Sequence, residues 1–133
     1  MYTHKTSLRV RYGETDQMGY CYYGNYAQFF EVGRVEALRE LGFSYKKLEE
    51  SGIMLPVRNY SVNYIKPAMY DDLLTIETII SKIEGARITF DYAIYKEGDI
   101  KVAEATTTLV FVSKTTMRPT SPPKDFIVLF AGN

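Results

Sequence analysis

Residues 24–42, GNYAQFFEVGRVEALRELG, decide the fold that this sequence predicts. Apolar and small side chains recur along this stretch at steps of three and four residues, which is the period of one face of an α-helix. The stripe comprises Tyr26, Phe30, Gly33, Ala37 and Leu41, widened by Phe29 and Leu38. Asn25 belongs to a residue type that often caps the first turn, and Gly42 to one that often follows the last. The pattern predicts one amphipathic helix from about Gly24 to Leu41.

On both sides of this helix apolar side chains recur at every second residue, which is typical of half-buried β-strands. One such segment precedes the helix at residues 7–12, and four follow it at residues 57–66, 73–83, 88–94 and 101–113. The turns at residues 84–86 and 96–99 are short enough for antiparallel hairpins. A short second helix is predicted at residues 45–50, and the proline-containing tail from Pro119 is expected to be irregular.

The order of these elements predicts an α+β fold. A curved antiparallel sheet of about five strands would wrap around the one long helix, with the last four strands in a meander. A single helix covers only one face of such a sheet, so the other face and the edge strands would still need cover. The sequence therefore predicts a homo-oligomer, either a homodimer or a homotetramer.

The composition is that of a single globular domain spanning residues 1–133, with 46% hydrophobic and 24% charged residues. Sixteen basic and 16 acidic side chains cancel, which argues against nucleic acid or an anionic membrane as a partner. Because no apolar stretch resembles a signal peptide or approaches the roughly 18 residues of a membrane span, a cytoplasmic protein is expected.

Two residue types occur only once, and their scarcity limits the possible chemistry. The lone cysteine, Cys21, excludes a disulfide framework and a paired-cysteine zinc site, so neither a metal nor a cofactor is expected. The lone histidine, His4, lies near the N-terminus and disfavours Ser-His-Asp and Cys-His catalysis. Cys21 itself lies in a candidate loop, but without a partner histidine it is more simply a small buried residue than a nucleophile.

The loop before the helix is the place where chemistry is most easily built. Asp16 lies about eight residues ahead of the helix, in a segment rich in aromatic residues. A helix N-terminus offers unpaired N–H groups and the positive end of the helix dipole, and Gly24 would let a substrate approach that backbone closely. A carboxylate facing such donors suits the hydrolysis of an activated acyl group. The alternative is that Asp16 only forms a turn or a cap.

At these residues the sequence resembles the hotdog-fold acyl-CoA thioesterases. The motif comprises residues 12–19, YGETDQMG, residues 22–26, YYGNY, and then Phe30, Glu31 and Arg34. The resemblance extends to residues 62–68, VNYIKPA, residues 71–73, DDL, and residues 114–119, KTTMRP. The most similar branches are the 4-hydroxybenzoyl-CoA thioesterases and the Tol-Pal-associated acyl-CoA thioesterases. The resemblance implies a hotdog fold and hydrolysis of an acyl-CoA to free CoA and a carboxylic acid.

The resemblance also implies roles for individual residues. Asp16 matches the carboxylate that acts as nucleophile or general base, and the backbone N–H of Tyr23 matches the group that polarises the thioester carbonyl. Tyr12 matches an active-site tyrosine of the Tol-Pal-associated branch. That branch has a histidine at the position of Tyr23, so a histidine-assisted step is not expected in this chain. In this family the active site usually lies between two subunits.

Other side chains near this motif are candidates for substrate contact. Gly24 and Tyr26 would border the acyl group, and Lys66 and Arg87 are the basic residues predicted to meet the phosphates of CoA. Lys82, Lys114 and Arg118 are further candidates for phosphate contact, although each is more often a solvated charge. Glu31 and Arg34 are spaced three residues apart, which favours an ion pair over a substrate contact.

Three alternative functions stay open at this point. A hydratase of the same fold would need an Asp and His pair near the start of the helix, and no histidine follows His4. A non-catalytic acyl-thioester-binding protein would have no need of Asp16. A thioesterase acting on acyl carrier protein would be favoured by a basic patch around the mouth of the site.

Overall fold

The chain builds a five-stranded sheet, a two-stranded sheet and one long helix in the computed structural model, which describes residues 1–132. Three α-helices occur in these residues: α1 (Tyr26–Glu40), α2 (Tyr45–Glu50) and α3 (Lys124–Ala131). The strands are β1 (Tyr2–Arg9), β2 (Ile53–Met54), β3 (Val57–Tyr64), β4 (Leu73–Glu84), β5 (Arg87–Lys96), β6 (Ile100–Val110) and β7 (Val112–Ser113). Single turns of 3-10 helix at Tyr12–Glu14 and Tyr23–Asn25 lie on either side of Asp16.

Five strands form an antiparallel sheet in the order β1-β4-β5-β6-β3, and β2 pairs separately with β7. This confirms the predicted five-stranded sheet and the two hairpins of β4, β5 and β6. The predicted four-strand meander is wrong for β3, which lies beside β6 and not beside β4. The reason is that both edges of β4 are occupied, one by β5 and the other by β1 from Tyr2↔Ile80 to Arg9↔Leu73. Strand β3 pairs instead with the edge of β6 that β5 leaves free.

Helix α1 packs its predicted apolar stripe against the sheet. Its buried residues are Tyr26, Phe29, Phe30, Gly33, Arg34, Ala37 and Leu38. A Cβ atom on Gly33 would lie only 2.5 Å from the Thr78 hydroxyl and 2.8 Å from Ile76, so a glycine is needed where the helix crosses β4. Gly42 ends the helical segment with a φ of +87°, as the sequence predicted.

The first strand does not occupy the predicted residues 7–12. It begins at Tyr2 and ends at Arg9, and Tyr12 opens a turn of 3-10 helix. The prediction missed the first half of the strand because His4 and Thr6, both polar, occupy its inward-facing positions. The strand stops early because the Glu14 carboxylate accepts the Arg11 N–H at 2.7 Å and turns the chain.

The tail is not irregular as predicted, because residues 124–131 form α3. Phe126 is buried, and its ring lies 5.2 Å from that of Phe43 and 5.9 Å from that of Phe111. These aromatic contacts hold the helix against the core. The rings that contact Phe126 are brought to it only by the tertiary structure. The sequence interpretation gave weight to the three prolines and overlooked the helical spacing after them.

Candidate active site

Asp16 is held in a tight loop between the two 3-10 turns. Its backbone N–H donates to the Tyr20 carbonyl at 2.8 Å, and its Oδ1 accepts the N–H groups of Met18 at 3.0 Å and Tyr20 at 3.1 Å. Within residues 1–132 every hydrogen bond of this carboxylate uses Oδ1. Asp16 is therefore a turn residue, as the alternative interpretation held, and its second oxygen is still available for chemistry.

The loop is attached to the start of α1 through Glu14. Glu14 is buried, and its carboxylate accepts the Arg11 N–H and one N–H of the Arg11 guanidinium at 3.1 Å. Its carbonyl oxygen accepts two further bonds, from the Tyr22 N–H and from Asn25 Nδ2, both at 2.8 Å. These bonds fix the spacing between the Asp16 loop and the helix.

Asn25 does not cap α1 as the sequence predicted. It occupies the position before the helix, but its φ of −85° and ψ of −15° are already helical, and its side chain makes no capping bond. The amide points away from the helix, because it donates to the carbonyl of Glu14, eleven residues earlier.

Tyr23 begins the 3-10 turn that runs into α1. The first N–H groups of a helical turn have no acceptor inside it, and the helix dipole makes this end partly positive. In the described part of the chain no hydrogen bond engages the N–H of Tyr23 or Gly24. The Tyr23 ring packs against Tyr22 at 4.7 Å and Tyr64 at 6.4 Å. The segment thus offers two donors on a backbone fixed by aromatic contacts.

Asp16 and Tyr23 line one cavity of about 310 Å³. Four of the predicted site residues meet there: Asp16, Tyr23, Tyr26 and Lys66. The other lining residues are Met18, Tyr20, Cys21, Tyr64, Ile65 and Pro67. The cavity therefore combines a carboxylate, a helix start, an aromatic wall and one lysine at its rim.

Three of the predicted residues lie outside this cavity: Gly24, Tyr12 and Arg87. A Cβ atom on Gly24 would lie 2.5 Å from the ring of Tyr22, so this glycine makes room for a neighbouring ring. The Tyr12 side chain is 78% exposed and meets Tyr70 edge to face at 5.5 Å. The role predicted for Tyr12 therefore stays a prediction.

Arg87 is also far from Asp16 within one chain. Tyr64 at the cavity pairs with Ala103, which pairs in turn with Ile94 on β5. Arg87 lies seven residues before Ile94, about 23 Å away at roughly 3.3 Å per strand residue. Lys66 lines the cavity, and beside it Lys96 Nζ donates to the Pro67 carbonyl at 3.0 Å. Lys66 is therefore the cation that lines this cavity, and Lys96 contacts the neighbouring Pro67.

The cavity contains a thiol and a phenol that burial keeps protonated. Burial, followed by the charge of Glu14, raises the pKa of the Cys21 thiol to about 11. Burial is also the main cause that raises the pKa of Tyr26 to about 12. Because only the thiolate is a strong nucleophile, these surroundings disfavour attack by Cys21 at neutral pH.

A second cavity of about 230 Å³ lies further along α1. Arg34, which is buried, lines it together with Glu31, Phe30 and Tyr60. The guanidinium of Arg34 donates to the Tyr45 hydroxyl at 2.8 Å and lies 3.9 Å from the Glu31 carboxylate. This supports the ion-pair interpretation of the two residues over a substrate contact.

Sequence reasoning missed the part of the cavity wall that comes from the β3 side. Tyr64 packs against Tyr26 at 5.1 Å, and its hydroxyl donates to the Tyr23 carbonyl at 3.4 Å. Its alternation with Tyr60 and Val62 in the predicted strand was a usable signal for a shared face. That signal does not say which loop faces the strand, because this depends on the position of β3 in the sheet.

Two further features are absent from the described residues. Within residues 1–132 no group of three or more His, Cys, Asp or Glu side chains is arranged to hold a metal ion. In the same part of the chain, no helix combines the length and the apolar character that crossing a membrane requires.

Comparison with known proteins identifies the family to which this chain belongs. The sequence profile of the Thioesterase superfamily matches residues 18–103. The chain belongs to this superfamily and is a thioester hydrolase with the hotdog fold.

Individual relatives agree with this assignment. The putative acyl-CoA thioesterase YneP of Bacillus subtilis (strain 168) is 34% identical over 126 residues, covering 95% of this chain and 91% of that protein. The acyl-CoA thioester hydrolase YbgC of Escherichia coli O157:H7 is 33% identical, covering 92% of each. Among solved structures, a DHNA-CoA thioesterase from Staphylococcus aureus superposes with a TM-score of 0.93 at 32% identity, covering 99% of this chain and 91% of that one.

Proposed function

We propose that this protein hydrolyses acyl-CoA thioesters with Asp16 as the carboxylate that acts at the carbonyl carbon. The observation that carries the proposal is that Asp16, with one oxygen free of hydrogen bonds, and Tyr23, whose N–H is unpaired, line the same cavity. One group supplies the base or nucleophile and the other stabilises the negative charge that develops on the carbonyl oxygen.

Two routes use the same residues. As a general base, Asp16 removes a proton from water while the water oxygen attacks the thioester carbonyl. The tetrahedral oxyanion then collapses, the C–S bond breaks, and the CoA thiolate takes up a proton. As a nucleophile, Asp16 attacks the carbonyl itself, expels the thiolate, and forms an anhydride that water hydrolyses. In both routes the N–H of Tyr23 serves as the donor to the oxyanion.

The preference for CoA rests on the relatives and on the charges at the mouth. The relatives YneP and YbgC carry acyl-CoA in their names. Lys66 at the rim suits a phosphate group of CoA, and Tyr26 and Tyr64 provide an aromatic wall for the acyl group. An acyl-carrier-protein thioesterase of Arabidopsis thaliana is also a relative, at 31% identity over 70% of this chain. Lys66 and Lys96 form a small cationic area, which suits CoA better than an extended acidic protein surface.

We also propose that the protein works as a homo-oligomer. Strand β3 lies at the edge of the sheet and is exposed along almost its whole length. Val57, Tyr60 and Tyr64 expose 47%, 41% and 49% of their surface, and Tyr23 exposes 64%. An open edge with apolar side chains invites pairing with a second copy, which would also cover the mouth of the cavity.

Two expectations from the sequence stay predictions: a single domain spanning residues 1–133, and a cytoplasmic location.

The first test is thiol release from a panel of short, long and aromatic acyl-CoAs and one acyl carrier protein thioester. We expect the parent to turn over CoA esters and Asp16→Asn, which keeps the Oδ1 acceptor of the turn, to be slower by about 10²-fold or more. The matched control is Asp71→Asn, because Asp71 is exposed with a φ of +70° that asparagine tolerates. Equal activity of Asp16→Asn and the parent would contradict the role of Asp16, and turnover of the carrier protein thioester alone would contradict the CoA substrate.

A further inference from the structure

We propose that Asn25 is a positioning residue, which holds the Asp16 loop in register with the oxyanion donors at the start of α1. The inference rests on the proposed function, because it assigns Asn25 a part in the same reaction. Asn25 does not line the cavity and acts through its bond to the Glu14 carbonyl.

The bond joins the two halves of the site at short chain distances. Glu14 is two residues before Asp16, and Asn25 directly follows Gly24 and lies two residues after Tyr23. The Glu14 side chain is itself fixed by two bonds from Arg11, so its peptide group is an immobile reference point. The 2.8 Å bond from Asn25 Nδ2 therefore sets the distance between the carboxylate and the donors.

A capping role does not explain this asparagine. A capping side chain accepts an N–H from the first helical turn, whereas the Asn25 amide donates to a residue in another loop. Aspartate and serine cap as well as asparagine does, but neither reproduces this donor. The two roles therefore predict opposite results for the same substitutions.

Loss of the Asn25 bond should leave the fold intact. The Tyr22 N–H still donates to the Glu14 carbonyl, and the bridge between Thr15 and Cys21 still closes the loop. The variant loses only the side-chain bond that fixes the start of α1 relative to the Glu14 peptide. A misplacement of about 1 Å between reacting groups can cost on the order of 10² in rate, so the rate is the sensitive quantity.

The experiment compares Asn25→Ser and Asn25→Asp with the parent in kcat, KM and thermal unfolding. Serine is too short to reach the Glu14 carbonyl, and aspartate places an acceptor against it. We expect kcat to fall about 10-fold in Asn25→Ser and about 10²-fold in Asn25→Asp, with KM changed by less than about threefold. The helix dipole favours the new carboxylate whereas the Glu14 carbonyl disfavours it, so Asn25→Asp should unfold within a few degrees of the parent.

Tyr2→Phe is the control, because it weakens the attachment of α1 at a place away from the site. It removes the bond from the Tyr2 hydroxyl to Glu40 in the last turn of α1, far from Asp16. We expect a lower unfolding temperature and an unchanged kcat. A fall in kcat matching that of Asn25→Ser would mean that any weakening of α1 slows the reaction, which contradicts the proposal.

The decisive measurement repeats Asn25→Ser in the Asp16→Asn background. Because the bond aligns Asp16 with the donors, its loss should cost less than about threefold once the carboxylate is gone. An equal factor in both backgrounds, a kcat within twofold of the parent, or a rise in KM alone would overturn the proposal. A parent enzyme inactive on every thioester would instead refute the proposed function, which is a distinguishable result.

Discussion

The two cavities along α1 differ in whether their polar groups are already paired. Around Arg34 the guanidinium donates to the Tyr45 hydroxyl at 2.8 Å, and the Tyr92 and Thr107 hydroxyls bond to each other at 2.7 Å. Around Asp16 one carboxylate oxygen and the first N–H groups of a helical turn are free. A buried group paired within the protein contributes stability, whereas an unpaired group beside an open cavity is available to a substrate. The unpaired groups therefore coincide with the proposed active site.

The largest expected effect is on kcat, and it comes from changes to Asp16 in the cavity with unpaired polar groups. Asp16→Ala should lower kcat as much as Asp16→Asn does, by about 10²–10⁴-fold, because both remove the base. Only the alanine variant also loses the two bonds that Oδ1 accepts, at a cost of about 1 kcal/mol in the free energy of unfolding. Thiol release and urea unfolding on the three proteins test this. An alanine variant much more active than the asparagine variant would contradict it.

The second prediction concerns the paired side. Arg34→Met should lower the free energy of unfolding by about 2–3 kcal/mol, because the half-buried Tyr45 hydroxyl and the buried Tyr92 hydroxyl each lose a partner. The matched control is Arg39→Met, which removes an exposed pair with Glu36 and should cost less than about 1 kcal/mol. Urea unfolding at fixed protein concentration measures both.

The same Arg34 variant also shows whether the second cavity takes part in turnover. Assayed where it is folded, Arg34→Met should keep kcat within about threefold of the parent. If Arg34→Met were as stable as the parent but had a much lower kcat, the cavity around Arg34 would belong to the active site. The two cavities would then not differ in function.

A smaller effect is expected at the mouth of the Asp16 cavity. Lys66→Ala should raise KM for acyl-CoA about three- to tenfold with little change in kcat, because a phosphate contact holds substrate and transition state alike. Added salt should reduce the difference between variant and parent. Lys124→Ala is the control, since Lys124 is exposed at the start of α3 and does not line the cavity.

Arg87→Ala sharpens the result for Lys66. Within one chain Arg87 is too far from Asp16 to share a CoA molecule with Lys66. An equal rise in KM in Arg87→Ala would mean that the phosphates reach the Arg87 of a second subunit. No change would remove Arg87 from the substrate-binding residues.

The smallest effect is expected for Cys21. Its pKa of about 11 lies above the ordinary value of a thiol, so the reactive thiolate forms only as the pH approaches 11. Alkylation of the native protein should be slow at pH 7 and accelerate about tenfold per pH unit, and Cys21→Ala should keep kcat within about threefold. Rapid alkylation at pH 7 with loss of activity would show a reactive thiol.

Local patterns in the sequence determined much of this protein. The helix of residues 26–40, the strand periods and the turns at Gly85 and Gly98 follow from side-chain spacing and backbone preference, which are properties of short segments. The loop with Asp16 could also be found, because the carboxylate and the helix start are close in the chain. One cavity is lined by four of the residues predicted from the sequence: Asp16, Tyr23, Tyr26 and Lys66.

Tertiary structure decided what depends on partners distant in the chain. Strand β3 lies at the edge beside β6, because β1 and β5 occupy both sides of β4. This position places Tyr64 at the cavity and leaves Arg87 far from it. Asn25 does not act as a cap, because its side chain donates a hydrogen bond to the Glu14 carbonyl. Residues 124–131 form a helix because Phe126 packs against Phe43 and Phe111. Period and propensity are local quantities, whereas a strand's neighbour and a side chain's acceptor are fixed only when the whole chain packs.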